Sequence, residues 1–171
     1  IPLVFPEFSF ATLYYKFWVP KILKNSDLVL CNSIATSNQI NKIIGIAPNK
    51  IKVIPLGVKQ KLKFEKVNKS NYNFLILGRH ARHKNLEAAI KALSLLKNNK
   101  KIDINIRNKI KLLIIGPQKK GYTSRMIRLS QKLKINKDCK WINWVEDQEK
   151  EKYLKESLSL MIPSYWEGFG L

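Results

Sequence analysis

The sequence predicts an α/β fold built on parallel sheet, and three observations carry that prediction. Short apolar runs recur along the chain, mostly without the alternation of a half-exposed strand; between them lie segments with apolar residues at helical spacing; glycine or proline marks most junctions. Apolar, non-alternating strands belong to sheets covered on both faces, whose parallel neighbours are joined through helices. With 171 residues and 45% hydrophobic content, the chain can bury a core.

Taken in order, 28–32 (LVLCN) reads as a buried strand, and Ser33 can cap the helix that follows. Ile34, Ile40, Ile43 and Ile44 sit near helical spacing, with Gly45 as the stop. A second strand, 51–54 (IKVI), ends in the turn Pro55-Leu56-Gly57-Val58. The polar, lysine-rich stretch 59–71 has little periodicity and reads as a linker or exposed loop, so a domain boundary is expected near Val58. Beyond it, 73–77 (NFLIL) is a strand ended by Gly78, and Leu86, Ala89, Ile90, Leu93 and Leu96 form one helix face. The strand 110–115 closes on Gly116-Pro117, and Met126, Ile127, Leu129 and Leu133 give a second helix face. A strand at 139–145 (CKWINWV), a short polar helix at 149–157 and a strand at 158–162 follow, ending in the loop 163–170.

A formal charge of +20 would ordinarily point to a polyanion such as nucleic acid or an anionic membrane. However, 27 Lys, 15 Asn and 21 Ile are the bias expected of AT-rich coding DNA, and the basic residues are spread along the chain instead of forming one block. Cys31 and Cys139 lie far apart in apolar runs with no metal-ligand spacing, so they read as buried free thiols. Neither a membrane-spanning apolar stretch nor a signal-peptide pattern is present, which favours a cytoplasmic address. The start at Ile1 and the stop at Leu171 both look cut.

In parallel sheets, ligands bind where loops leave the carboxyl ends of the strands. The loop Gly78-Arg79-His80-Ala81-Arg82-His83-Lys84-Asn85 joins a strand to a helix there. Glycine permits a sharp turn, Asn85 can cap the helix, and the amides and dipole of the helix start attract an anion. Arg79 offers a planar fork and Lys84 a point charge, so a diphosphate is the natural guest. His80 and His83 lack a third ligand at a recognisable spacing and read as solvated loop histidines. The last loop, Trp166-Glu167-Gly168-Phe169-Gly170-Leu171, sets a carboxylate between aromatics and beside glycines that permit close backbone approach, an arrangement suited to a polyol. Each loop alone is as well explained as ordinary surface structure.

Together they resemble the family 4 (group 1) glycosyltransferases. The matching pieces are Gly78-Arg79 with Lys84 and Asn85-Leu86 behind, then Glu167-Gly168-Phe169-Gly170-Leu171 after Pro163-Ser164. Pro55-Leu56-Gly57-Val58 is similar to that family's interdomain turn, and Asp27-Leu28-Val29-Leu30-Cys31-Asn32-Ser33 to a strand and serine turn late in its first domain. The resemblance implies the two-Rossmann-domain, type B glycosyltransferase architecture. Residues 1–57 would be the C-terminal part of an N-terminal, acceptor-side domain, and 58–171 an incomplete nucleotide-sugar-binding domain. It further implies transfer of a mannose- or glucose-type hexosyl unit, with retention, from a nucleotide diphosphate sugar to a glycan or lipid-linked hydroxyl. Arg79 and Lys84 would hold the diphosphate, and Glu167 with Gly168 and the amides of Phe169 and Gly170 would orient the sugar. Gly78 and Leu171 belong to the same donor site, while Trp144 and Val145 would line the nucleobase pocket. No metal and no cofactor is implied, and no nucleic acid.

The Glu167 motif has a second Glu seven residues on, past Leu171, and a His-Asp pair would precede Ile1, so the fragment alone is expected to be inactive. The run 8–18 (FSFATLYYKFW) packs six aromatics beside Lys16, which allows a peripheral contact with the inner membrane face. The commoner fate of such a run is a helix packed inside the first domain. The rival to the whole reading is a non-catalytic, basic α/β protein that binds nucleic acid.

Overall fold

The computed structural model describes residues 10–57 and 72–169. The lysine-rich stretch, the boundary near Val58, residues 1–9 with the start of the aromatic run, and Gly170 and Leu171 lie outside the described residues. Among the rest, 10–57 with 166–169 form one compact unit and 72–165 a second.

The first unit opens with α1 (Phe10–Asn25), β1 (Val29–Cys31), α2 (Ile34–Ile44) and β2 (Ile51–Val53), with β1 and β2 paired in parallel. Ser33 caps α2 as expected: its backbone is extended and its hydroxyl accepts the Thr36 N–H at 3.1 Å. Gly45 ends the helix in the left-handed region at φ 78, returning its N–H to the Asn41 carbonyl. Val29, Cys31 and Ile46 form the small core, with Leu23, Ile40, Ile44 and Ile51 packed against it.

In the second unit, β3 (Asn73–Leu77), β4 (Lys111–Ile115), β5 (Cys139–Ile142) and β6 (Ser159–Leu160) make one parallel sheet in the order β5-β4-β3-β6. Successive strand residues point to opposite faces, and here both faces are apolar. Ile76, Leu112 and Ile114 pack on α3 (Leu86–Asn98) and α5 (Lys120–Lys132). Leu75, Leu113 and Ile115 pack on Tyr153 and Leu154 of α6 (Asp147–Glu156). Leu75, Ile90, Leu112 and Ile114 are all but fully buried, and each such side chain contributes roughly 1.5–3 kcal/mol of transfer free energy. Both cysteines are buried and free, and burial pushes the Cys139 thiol up to about 11.

Three elements depart from expectation. The strand drawn to 145 ends at Ile142, leaving Trp144 63% exposed. The strand drawn over 158–162 shrinks to β6, an edge strand with exposed Leu160 and Ile162, because among the described residues only β3 flanks it. A further helix, α4 (Ile104–Lys109), forms where none was expected, capped by the Asp103 carboxylate, which accepts the Asn105 and Ile106 amides.

The sheet's order places a switch point between β3 and β6. The chain leaves β3 to build β4 and β5 on one side, then crosses back to lay β6 on the other, and such points open a crevice at the carboxyl ends of the strands. At that end Gly78 (φ 133) donates to the Ile115 carbonyl, and Gly116 (φ 149) to that of Ile142. A Cβ on Gly116 would sit 2.1 Å from the Gly78 carbonyl oxygen. Gly116→Ala should therefore destabilise by roughly 2–5 kcal/mol, combining backbone strain with a steric clash. Gly121→Ala, in open space on α5, should stabilise by roughly 0.5–1 kcal/mol. Urea unfolding midpoints of the two variants against the parent check both.

Candidate functional site

The exit loop of β3 is short and tightly held. Gly78 turns the chain out of the strand, Arg79 follows as an exposed residue, and the Lys84 side chain folds back over the turn. A Cβ built on Gly78 would lie 3.4 Å from Lys84 Cε and 3.6 Å from its ammonium nitrogen. These are ordinary contact distances, so the φ of 133, not crowding by the lysine, is what calls for glycine here, and Lys84 lies across the end of the strand. Arg82–Lys84 form a single 3-10 turn before α3.

Asn85 does not cap α3 as the sequence suggested. Its backbone is left-handed at φ 51, and its side-chain amide donates to the Pro163 carbonyl at 3.1 Å, so it ties the β3 exit to the β6 exit. The Tyr165 N–H donates to the His83 carbonyl at 2.8 Å and makes a second tie. Burial raises the pKa of the Tyr122 phenol and outweighs the lowering by the nearby Leu86 backbone.

His80 overturns the expectation of a solvated histidine: its side chain is fully buried. Its backbone N–H reaches the Pro117 carbonyl, its Nδ1 lies 3.1 Å from the Thr123 hydroxyl, and its ring meets Trp141 edge-on at 5.6 Å. Thr123 also accepts the Lys119 N–H. His80 Nε2 is buried and has no hydrogen-bond partner among the described residues. Burial lowers the pKa of His80, because a charged imidazole here would have a desolvated N–H without an acceptor. Beneath the cationic loop therefore lies a neutral, aromatic floor. His83 is half-buried.

Of the other expected site residues, Val145 is half-buried against the Leu75, Leu113 and Ile115 cluster, and Trp144 stands exposed just beyond β5. Glu167, Gly168 and Phe169, each half-buried, fall in the first unit, whereas Gly78, Arg79 and Lys84 lie in the second. Sequence reasoning missed Thr123, Trp141 and Tyr122. The signal for Thr123 was present, since Thr123, Met126 and Ser130 fall at helical spacing and form the buried face of α5. No group of three or more His, Cys, Asp and Glu residues that could hold a metal ion occurs among the described residues.

Residues 58–171 match the family model described as Glycosyl transferases group 1. No curated protein is similar enough to match the sequence. Solved structures match at low identity. WaaG, described as a glycosyltransferase involved in lipopolysaccharide biosynthesis, is 14% identical, with a TM-score of 0.72 over 94% of this chain and 45% of its own. Anabaena Alr3699/HepE, solved in complex with UDP-glucose, is 14% identical, with a TM-score of 0.72 over 98% and 45%. The sucrose-phosphate synthase of Thermosynechococcus elongatus is 20% identical, with a TM-score of 0.71 over 96% and 41%. The chain spans less than half the length of these structures, and the likeness is one of fold: α/β with parallel sheets, as the sequence predicts.

The buried imidazole gives a signed pH dependence. Its folded pKa lies below the ordinary value of about 6.5, so its stabilising contribution is complete above that value and is lost as pH falls below it, at no more than about 1.4 kcal/mol per pH unit. His80→Phe keeps an aromatic ring against Trp141 and should flatten the stability profile between pH 7 and 5. Urea unfolding across that range measures it; an unchanged slope would show that His80 does not titrate in this way.

Proposed function

Because the chain belongs to the group 1 glycosyl transferases, we propose that it supplies the donor side of a family 4 hexosyltransferase of type B architecture. That enzyme moves a mannose- or glucose-type unit from a nucleotide diphosphate sugar to a glycan or lipid-linked hydroxyl, with retention. The observation that carries the reading is the Lys84 ammonium folded over Gly78 at the sheet's switch point, with Arg79 as the next residue. Support for the donor class comes from HepE, solved with UDP-glucose, and for a lipid-linked acceptor from WaaG, described by its role in lipopolysaccharide biosynthesis.

In this reading Arg79 grips diphosphate oxygens with its planar fork, and Lys84 adds a compact charge beside them. As the bond between the sugar and the diphosphate breaks, negative charge gathers on the leaving oxygens. Fixed cations placed there stabilise the transition state more than the ground state. These two residues do the charge work, so the proposed reaction uses neither metal nor cofactor. A neutral His80 beneath the loop keeps that field undisturbed. Glu167 would accept hydrogen bonds from sugar hydroxyls, with Gly168, Phe169, Gly170 and Leu171 shaping the turn around them, and Trp144 and Val145 would border the nucleobase.

The acceptor suggests where the protein works. Leu13, Tyr14, Tyr15, Phe17, Trp18 and Ile22 of α1 are exposed, interleaved with Lys16, Lys21 and Lys24, and the helix carries no acid. Aromatics with snorkelling lysines suit the interface of an anionic bilayer, so we place the protein at the inner face of the membrane, on the cytoplasmic side. No helix among the described residues is long and apolar enough to cross a membrane.

Two experiments follow. In the full chain, Arg79→Ala and Lys84→Ala should each lower sugar transfer by roughly 10²-fold or more; unchanged transfer would rule out the diphosphate assignment. Sedimentation with phosphatidylglycerol vesicles should carry the protein down and phosphatidylcholine vesicles should not, and Phe17→Ala with Trp18→Ala should weaken the effect. Equal sedimentation with both lipids would contradict the membrane contact.

A further inference from the structure

The turn that follows β6 is gripped through its backbone by the start of α2. The Ser33 hydroxyl lies 2.5 Å from the Gly168 carbonyl oxygen, and the Thr36 hydroxyl lies 3.2 Å from that same oxygen. A Cβ on Gly168 would lie 4.0 Å from the Asn32 side-chain amide, so the β1–α2 junction forms the seat on which the turn rests. All these residues belong to the same compact unit.

The hydrogen bonds can be counted. Ser33 Oγ already accepts the Thr36 N–H at 3.1 Å as the helix cap, and its single proton has two acceptors in reach, the Thr36 hydroxyl at 3.0 Å and the much closer Gly168 carbonyl oxygen, to which it donates. The Thr36 hydroxyl has one proton, and a carbonyl oxygen can accept twice, so both hydroxyls can bond Gly168 at once. The Thr36 hydroxyl has two other oxygens nearby, Ser33 Oγ at 3.0 Å and the Asn32 side-chain oxygen at 3.3 Å. Serine is thereby doing two things at one position. Asp, Asn or Gly would serve about as well as a cap, but a carboxylate could not donate to Gly168.

A planar trans peptide makes the grip directional. The carbonyl of Gly168 and the N–H of Phe169 belong to one peptide unit and point in opposite directions. Fixing the oxygen against Ser33 and Thr36 turns the Phe169 N–H away from α2. We infer that Ser33 and Thr36 are positioning residues that aim the Phe169 amide and hold Glu167 for the donor sugar, an inference that rests on reading this turn as the donor-sugar site. They would act on the turn through the Gly168 peptide alone.

The test compares Ser33→Asp, which keeps the cap but loses the donated bond, with Ser33→Thr, which keeps both, and with Thr36→Val. In the full chain, hydrogen exchange of the peptide spanning 163–171 should be faster in Ser33→Asp than in the parent, with Ser33→Thr restoring protection. In titrations, Ser33→Asp should bind UDP like the parent, which also shows that it is folded, but bind UDP-glucose about tenfold more weakly. Thr36→Val should show a smaller loss, and Ser33→Thr should recover the affinity. Unchanged exchange and unchanged UDP-glucose affinity in Ser33→Asp, with UDP binding abolished by Arg79→Ala, would overturn the inference and leave the donor-site reading standing. A parent that binds neither UDP nor UDP-glucose would overturn both, and the exchange data would still report whether the hydroxyls hold the turn.

Discussion

The candidate site depends on two glycines that meet at the carboxyl ends of neighbouring strands. The Gly78 carbonyl oxygen occupies the space where any side chain at position 116 would begin, and both residues take positive φ values that L side chains avoid. Their amides carry the hydrogen bonding of the sheet one step past β3 and β4. The exits of β3, β4 and β5 therefore leave the sheet side by side, and the β6 exit is drawn in from the other side by Asn85 and Tyr165. A side chain at 116 would push these loops apart at the surface over which Lys84 folds.

The proposed chemistry rests on the arrangement of a few charges and not on the net charge of the molecule. Most of the lysines are spread over a solvated surface where salt screens them. Arg79 and Lys84 differ in place, being next to a strand end whose neighbouring interior is apolar and whose nearest buried titratable group is held neutral. Fixed charge beside a low-dielectric floor acts more strongly on an anion than the same charge in open water.

Much of the fold was legible because both helical faces and buried strands leave strong periodic signals. The strand 73–77 and the stops at Gly45 and Gly78 were readable for that reason, as was the Ser33 cap. Residues whose roles depend on distant partners were not. Asn85 looks like a cap, but its partner, Pro163, lies 78 residues on. His80 looks solvated amid arginine and lysine, yet Thr123 and Trp141 enclose it from α5 and β5. Trp144 continued an apolar run although pairing with β4 stops at Ile142. The candidate cations were legible one by one, whereas the folding of Lys84 over Gly78 required the structure.

The most direct test of the account is a backbone-amide NMR titration of the full chain with UDP at two salt concentrations. The account predicts saturable shifts concentrated at Gly78, Arg79, Lys84 and Gly116, largely retained at the higher salt. Small shifts spread over the lysine-rich surface and lost as salt rises would contradict it, and would mark the protein as a general binder of polyanions.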